Sequence, residues 1–146
     1  MGGTFDILHS GHKALLQRAL EVGDIVLVGL TTDSRASRNN KTQINPYHLR
    51  LVNLQNLLKS MKSLEKFQIV PLDNDWGPSV VDEDFEAIIV SDETKYTAQK
   101  INKIRSADGK TELEIVVVPM IRAQDGNRIS SSRIRNKEIN SEGKIT

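Results

Sequence analysis

The chain has 146 residues, a net charge of +1, 38% hydrophobic residues and no cysteine. The charge balance argues against a general nucleic-acid or membrane-surface binder. The lack of cysteine excludes disulfides, thiolate catalysis and sulfur-ligated metals. No apolar run is as long as a membrane span or a signal-peptide core. We therefore expect a single cytoplasmic domain over residues 1–146, a monomer in preference to an oligomer, that binds neither nucleic acid nor membranes.

The rest of the pattern alternates helices with apolar strands. An amphipathic helix is predicted over 12–22 and ends at Gly23. A second helix is predicted to start at Asn45-Pro46, and a third passes Ile101 and ends before Gly109. Four apolar runs predict buried strands, at 25–30, 64–72, 87–90 and 113–118. A basic polar loop is predicted at 34–43. This order predicts a Rossmann-like, doubly wound parallel α/β sheet with right-handed crossovers.

Residues 2–12, Gly-Gly-Thr-Phe-Asp-Ile-Leu-His-Ser-Gly-His, carry the strongest functional pattern. Bare glycine backbone lets a phosphate approach its N–H groups, and a helix N-terminus favours an anion. His9 and His12 are three positions apart and share a helix face, with the Thr4 hydroxyl just upstream. The set indicates a phosphate site rather than two ordinary helix-start histidines. Zinc explains it less well, because a metal site needs three or four ligands and His48 is the only other histidine.

Polar clusters also follow the later strands. Residues 91–94 come directly after the strand at 87–90, where ligands bind in parallel sheets. Residues 130–135, Ser-Ser-Ser-Arg-Ile-Arg, open a short helix and offer a cap, N–H donors and two cations. Two helix starts that face one crevice favour a polyphosphate ligand over a single phosphate. No serine–histidine–carboxylate order, Schiff-base lysine or metal-ligand cluster stands out, which fits phosphoryl or nucleotidyl transfer by positioning and charge neutralisation.

Two of these segments resemble the signatures of the nucleotidyltransferase superfamily. The first is His9-Ser10-Gly11-His12 behind Gly-Gly-Thr-Phe-Asp, and the second is 129–135, similar to Ile-Ser-Ser-Thr-x-hydrophobic-Arg with Ser132 in place of threonine. Other stretches resemble the archaeal and eukaryotic type of phosphopantetheine adenylyltransferase: 45–50, 76–79, 86–94 and 101–105. The resemblance also implies a short apolar first strand, which is missing before Gly2.

The resemblance implies transfer of the adenylyl group of ATP to 4′-phosphopantetheine, with Mg²⁺, to give dephospho-coenzyme A and pyrophosphate. The acceptor phosphate would attack the α-phosphorus in line, without a covalent enzyme intermediate. The resemblance assigns the catalytic roles to His9 and His12 for charge on the triphosphate, Arg133 for the departing phosphates and Lys41 for the acceptor phosphate. The nucleotide would contact Gly3, Thr4, Phe5, Ser91, Asp92, Glu93, Thr94, Ser130, Ser131 and Ser132, and no residue is assigned to a metal.

Other functions fit parts of the same pattern. A related transferase could adenylylate FMN or use CTP with a phosphorylated alcohol such as glycerol 3-phosphate, because the first signature suits all of these. A catalytically silent nucleotide sensor would keep the fold, but the intact His9, His12 and 130–133 argue against it. Only the weaker middle stretches separate the transferases from one another.

Overall fold

The computed structural model describes residues 1–38, 43–74 and 84–146. Within these ranges the strands are β1 (Gly2–Gly3), β2 (Val26–Thr31), β3 (Phe67–Leu72), β4 (Ala87–Ser91) and β5 (Glu114–Val118). The helices are α1 (Ser10–Val22), α2 (Asp33–Arg38), α3 (Tyr47–Ser60), α4 (Lys95–Ala107) and α5 (Ser131–Arg135), with a 3₁₀ turn at Leu64–Lys66. None of the helices described has the length and apolarity that crossing a bilayer requires.

Every pair of neighbouring strands is parallel. β2 lies between β1 and β3, and β4 pairs with β5. Val28 of β2 is opposite Ile69 of β3, and Ile89 of β4 is opposite Val116 of β5. Parallel strands need crossover connections, and here helices supply them. The predicted α/β class with a parallel, Rossmann-like sheet is confirmed.

The layers can be assigned from the alternation along β4. Ile89 packs in the main core with Leu16 of α1, whereas its neighbours Ile88 and Val90 pack with Ile101 of α4. Successive side chains of a strand point to opposite faces of the sheet. The helices α1 and α4 therefore cover opposite faces, as a doubly wound sheet requires.

The glycine pair at the start of the chain is a strand rather than only a turn. Gly2 is in register with Gly29 of β2, and Gly3 with Leu30. The Gly29 N–H also donates to the Met1 carbonyl at 2.8 Å. The position beside β2, for which the sequence showed no strand, is therefore occupied by these two glycines.

Three element boundaries differ from the prediction. Residues 34–38 of the predicted loop belong to α2, which the Thr32 hydroxyl caps by accepting the Arg35 N–H. Pro46 is the N-cap of α3 and not its first helical residue. The predicted strand at 64–72 opens with the 3₁₀ turn, so only its second part is β3.

Candidate active site

The first signature leaves β1 through a tight turn and enters α1. Phe5 has a φ of 49°, a left-handed conformation that is uncommon for a residue other than glycine. Its side chain is buried, and its ring centroid lies 5.1 Å from that of His12. The turn therefore places the start of α1, with both histidines, directly beyond the carboxyl end of β1.

A buried arginine on α3 holds this turn. Arg50 has no exposed surface, and its guanidinium donates to the carbonyls of Thr4 at 3.0 Å, Thr31 at 2.7 Å and Asn45 at 2.7 Å. It also pairs with Asp33 at 2.9 Å. A buried charge is tolerated when it is paired and hydrogen-bonded, as here. Sequence reasoning gave Arg50 no role, since nothing in a helical pattern marks a cation as buried.

His9 and His12 stack on each other at the start of α1. Their ring centroids are 3.8 Å apart, and the ring planes differ by 26°. His9 is the N-cap of α1, and its Nδ1 accepts the Gly11 N–H at 3.0 Å. The neutral His9 ring therefore carries its proton on Nε2, where it can be donated to a ligand. A Cβ on Gly11 would lie 2.8 Å from Cε1 of His9, so the cap requires glycine here.

Both imidazoles are neutral at physiological pH. Burial lowers the pKa of His12 to about 3, with a smaller contribution from the charge of His9. Burial lowers the pKa of His9 to about 4, with a smaller contribution from the Arg128 guanidinium. Nδ1 of His12 is buried without a hydrogen-bond partner, which is uncommon for a polar atom in a folded protein. The pair is thus a set of neutral polar groups with unused hydrogen-bonding capacity.

Part of the helix start is already used by the protein. The Ser10 N–H donates to the Ser141 carbonyl at 3.0 Å, and the Gly11 N–H is bound to His9. The first turn of a helix normally leaves its N–H groups without intrahelical partners. Fewer of them are available to a phosphate than the sequence suggested, so the imidazoles become the more important donors.

The stacked histidines line a cavity of about 150 Å³ at the carboxyl ends of β4 and β5. Ser91 and Glu93 line it from the end of β4, and Arg128 from the segment before α5. The other lining residues are mostly apolar: Gly11, Leu15, Val118, Pro119, Met120, Ile121 and Ile129. Ligand pockets typically measure roughly 300–1,000 Å³, so this cavity accommodates only part of a nucleotide. Its place at the strand ends is where parallel sheets bind ligands.

The second signature is bonded mainly to the rest of the protein. The Ser130 hydroxyl caps α5 by accepting a helix N–H at 3.2 Å. The Ser131 hydroxyl accepts the Ile7 N–H at 3.1 Å and donates to the Ile7 carbonyl at 3.0 Å. Arg135 pairs with the buried Asp6. The helix α5 therefore fixes the turn that leads into α1.

Arg133 is not among the described residues that line the cavity. Its guanidinium pairs with Asp125, lies 3.4 Å from Glu138 and donates to the Arg128 carbonyl at 2.9 Å. The hydrogen bond between Arg133 and Asp125 raises the pKa of the arginine and lowers the pKa of the carboxyl. The acceptors that the structure brings to Arg133 are protein groups, and its contact with departing phosphates stays a prediction.

The predicted site residues fall into two groups. Those that meet at the cavity are His9, His12, Ser91 and Glu93. Those that lie elsewhere are Gly3 in β1, Thr4 and Phe5 in the turn, Asp92 and Thr94 after β4, Ser130, Ser131 and Ser132 at α5, and Arg133. Lys41 and residues 76–79 lie outside the described ranges. The missed cavity residue is Arg128, whose only sequence signal is its place directly before Ile129 and the serine cap.

Comparison with known proteins gives consistent matches. A family model described as cytidylyltransferase-like matches residues 1–137. A protein of Methanosarcina acetivorans named phosphopantetheine adenylyltransferase is 44% identical over 148 residues, which cover 99% of this chain and 93% of that protein. Another of that name, from Methanothermobacter thermautotrophicus, is 42% identical over 145 residues and covers 99% and 87%.

Two solved structures extend the comparison. One, described as a protein with unknown function from Archaeoglobus fulgidus, has a TM-score of 0.74 and 34% identity and covers 83% of this chain and 97% of its own. The other, a pantoate-beta-alanine ligase from Francisella tularensis, has a TM-score of 0.59 at 16% identity and covers 92% of this chain and 63% of its own. The second likeness concerns the fold alone.

Proposed function

We propose that this chain, which belongs to the cytidylyltransferase-like family, transfers the adenylyl group of ATP to 4′-phosphopantetheine and releases pyrophosphate. The product would be dephospho-coenzyme A, made for coenzyme A synthesis in the cytoplasm. The observation that carries the proposal is the stacked pair His9 and His12, neutral and open to a cavity at the ends of β4 and β5. The relatives named phosphopantetheine adenylyltransferase support the choice of acceptor.

The reaction needs donors more than it needs a protein nucleophile. An oxygen of the acceptor phosphate attacks the α-phosphorus, and the bond from that phosphorus to the bridging oxygen of pyrophosphate breaks. During this exchange negative charge is redistributed over the α-phosphate oxygens and builds up on the departing pyrophosphate. The Nε2–H of His9 and the imidazole of His12 donate hydrogen bonds to that charge. Donors held in place before the reaction are worth most in a site that excludes water.

The turn and the strand ends would bind the rest of ATP. We assign phosphate contacts to the backbone of Gly3 and Phe5 and to the Thr4 hydroxyl. Ser91 and Glu93 line the cavity on the side assigned to the nucleoside, with Asp92 and Thr94 next to them. One chain supplies all of these groups, so we propose that the monomer is active.

The serines of α5 have a different part in this proposal. Ser130 caps the helix and Ser131 is bonded to Ile7, so they place the turn that contacts the phosphates. Ser132 is exposed on α5 and remains a proposed phosphate contact. Lys41 remains the proposed ligand of the acceptor phosphate.

Magnesium enters this proposal bound to ATP. Within residues 1–38, 43–74 and 84–146, no group of three or more histidine, cysteine, aspartate or glutamate side chains is placed to hold a metal ion. Mg²⁺ commonly binds substrate phosphates and water with few protein ligands. A site built from imidazoles, hydroxyls and N–H groups suits a nucleotide that brings its own metal.

A pyrophosphate-release panel tests the proposal. Purified protein with ATP and Mg²⁺ should release pyrophosphate with 4′-phosphopantetheine, and little with FMN, nicotinamide mononucleotide or glycerol 3-phosphate. ATP should give a higher rate than CTP, and mass spectrometry should identify dephospho-coenzyme A. A preference for FMN or CTP would overturn the substrate assignment and leave a nucleotidyltransferase. No release with any pair would favour a nucleotide-binding sensor.

A further inference from the structure

We propose that Arg128 binds a phosphate group of a substrate in the cavity beside His9, and that Glu93 occupies its guanidinium until that substrate arrives. The inference rests on the proposed function, because it assigns a ligand to a residue of the same site. It gives Arg128 the role that the sequence had suggested for Arg133.

Arg128 is placed for this role by the walls of the cavity. It lines the cavity together with His9 and His12, and its guanidinium pairs with Glu93, which lines the same cavity. Its charge also reaches His9, whose pKa it helps to lower. A phosphate held by the imidazoles would therefore lie within the electrostatic range of Arg128.

The pair with Glu93 can be exchanged at low cost. The side chains of Arg128 and Glu93 are 45% and 54% exposed, and ion pairs with that exposure contribute little to stability. A phosphate offers more charge than a carboxylate and fits the planar guanidinium with two parallel hydrogen bonds. Substrate binding can thus replace Glu93 without disturbing the core.

The other nearby arginine, Arg133, is already bound by protein groups. Arg133 has a side chain only 17% exposed, and it is held by Asp125, Glu138 and a backbone carbonyl. Releasing it would break two contacts of α5 with the preceding segment, to Asp125 and Arg128, and one with Glu138 after the helix. Of these two arginines, Arg128 is the one that lines the cavity, and within the described part of the chain its guanidinium has one partner to give up, the exposed Glu93.

Calorimetry with separate ligands tests the proposal. ATP with Mg²⁺ and 4′-phosphopantetheine would each be titrated into the wild type, Arg128→Ala and Arg128→Lys. We expect Arg128→Ala to weaken the binding of one ligand by roughly 10- to 100-fold, the usual effect of losing a hydrogen bond to a charged group. Lysine should restore part of the affinity, because it keeps the charge without the fork. The ligand whose affinity falls identifies the phosphate that Arg128 binds.

Another arginine serves as a matched control. Arg122 is exposed, and its guanidinium donates to the Gly126 carbonyl at 2.9 Å. Arg122→Ala should therefore bind both ligands as the wild type does. Arg133→Ala should melt at a lower temperature, because it loses its protein contacts, and its affinity for ATP tests separately whether Arg133 also binds a phosphate. Melting curves of every variant verify that the protein titrated is folded.

Further outcomes test the role of Arg128 independently of whether the protein catalyses the proposed adenylyl transfer. Glu93→Gln should bind the phosphate ligand more tightly, because the competing carboxylate is gone, and weaker binding would overturn the exchange. Unchanged affinity of Arg128→Ala for both ligands would overturn the role of Arg128, even in a protein that releases pyrophosphate. Lost affinity in a protein that releases none would support Arg128 and reject the reaction.

Discussion

The two signature segments both place polar side chains at the start of a helix but use them differently. In the first, His9 and His12 line the cavity, and Nδ1 of His12 is buried with no partner. In the second, the side chains of Ser131, Arg133 and Arg135 are all bonded to protein groups. Satisfied groups stabilise the fold, whereas unsatisfied ones carry a cost that a ligand can remove. The first segment is therefore suited to bind a ligand, whereas the second holds the first segment in place.

The largest effect is expected in the first segment. His12→Ala should lower kcat by roughly 10²–10³-fold, because it removes a positioned donor to the charge of the transition state. The variant should fold and bind ATP, since the Nδ1 of His12 has no protein hydrogen bond to lose. Pyrophosphate release under saturating substrates measures the change. His48→Ala, at an exposed position of α3, is the control and should keep wild-type turnover; near-normal turnover in His12→Ala would contradict the catalytic assignment.

A substitution in the second segment should mainly lower the stability of the protein. Ser131→Ala leaves the N–H and carbonyl of Ile7 without their partner and should lower the free energy of unfolding by about 1–3 kcal/mol. Denaturant unfolding measures the loss, and Ser132→Ala is the stability control because that side chain is exposed. Turnover should also fall, since the turn is released. Ser131→Thr should restore both. Wild-type stability in Ser131→Ala would mean that the hydroxyl does not hold the turn.

The smallest effect concerns the pH dependence of stability and is expected from the two histidines of the first segment. The pKa of each histidine is about 6.5 when unfolded, and folding lowers it to about 4 for His9 and about 3 for His12. Below pH 6.5 the unfolded chain binds more protons, so the free energy of unfolding falls as the pH drops towards 4. Each site contributes at most about 1.4 kcal/mol per pH unit. In His12→Ala the fall should be shallower. Equal slopes, from unfolding curves at several pH values, would show that His12 is not held neutral by burial.

The sequence predicted the family, the parallel sheet and four of the twelve described residues that line the cavity, because those features depend on local patterns. Helical and strand periodicity is local, and the segment from Thr4 to His12 forms its site within a few residues of chain. The family and the fold class are both confirmed. Ser91 and Glu93 were also found, since the ends of parallel strands lie at one edge of a sheet.

The roles of the arginines could not be assigned from the sequence. Arg128, Arg133 and Arg50 look alike in the sequence, and only the acceptors that the fold brings to each guanidinium distinguish them. Arg50 meets carbonyls from three separate segments, Arg133 meets Asp125, and Arg128 meets Glu93. Thr4 and Thr31 are 46 and 19 positions from Arg50, and the pairing of Arg133 with Asp125, eight positions away, depends on the path of the turn between them. No local pattern could therefore assign a role to each arginine.

The bond between Ser131 and Ile7 has a consequence for synthesis on the ribosome. The two residues are 124 positions apart, so at roughly 5–20 residues per second the first signature emerges roughly 6–25 s before the hydroxyl that positions it. Until then the turn before α1 lacks its tether, although β2 can already pair with the glycines. If the chain binds ATP as proposed, nascent chains should acquire tight nucleotide binding only when α5 has left the exit tunnel, late in the synthesis of each molecule.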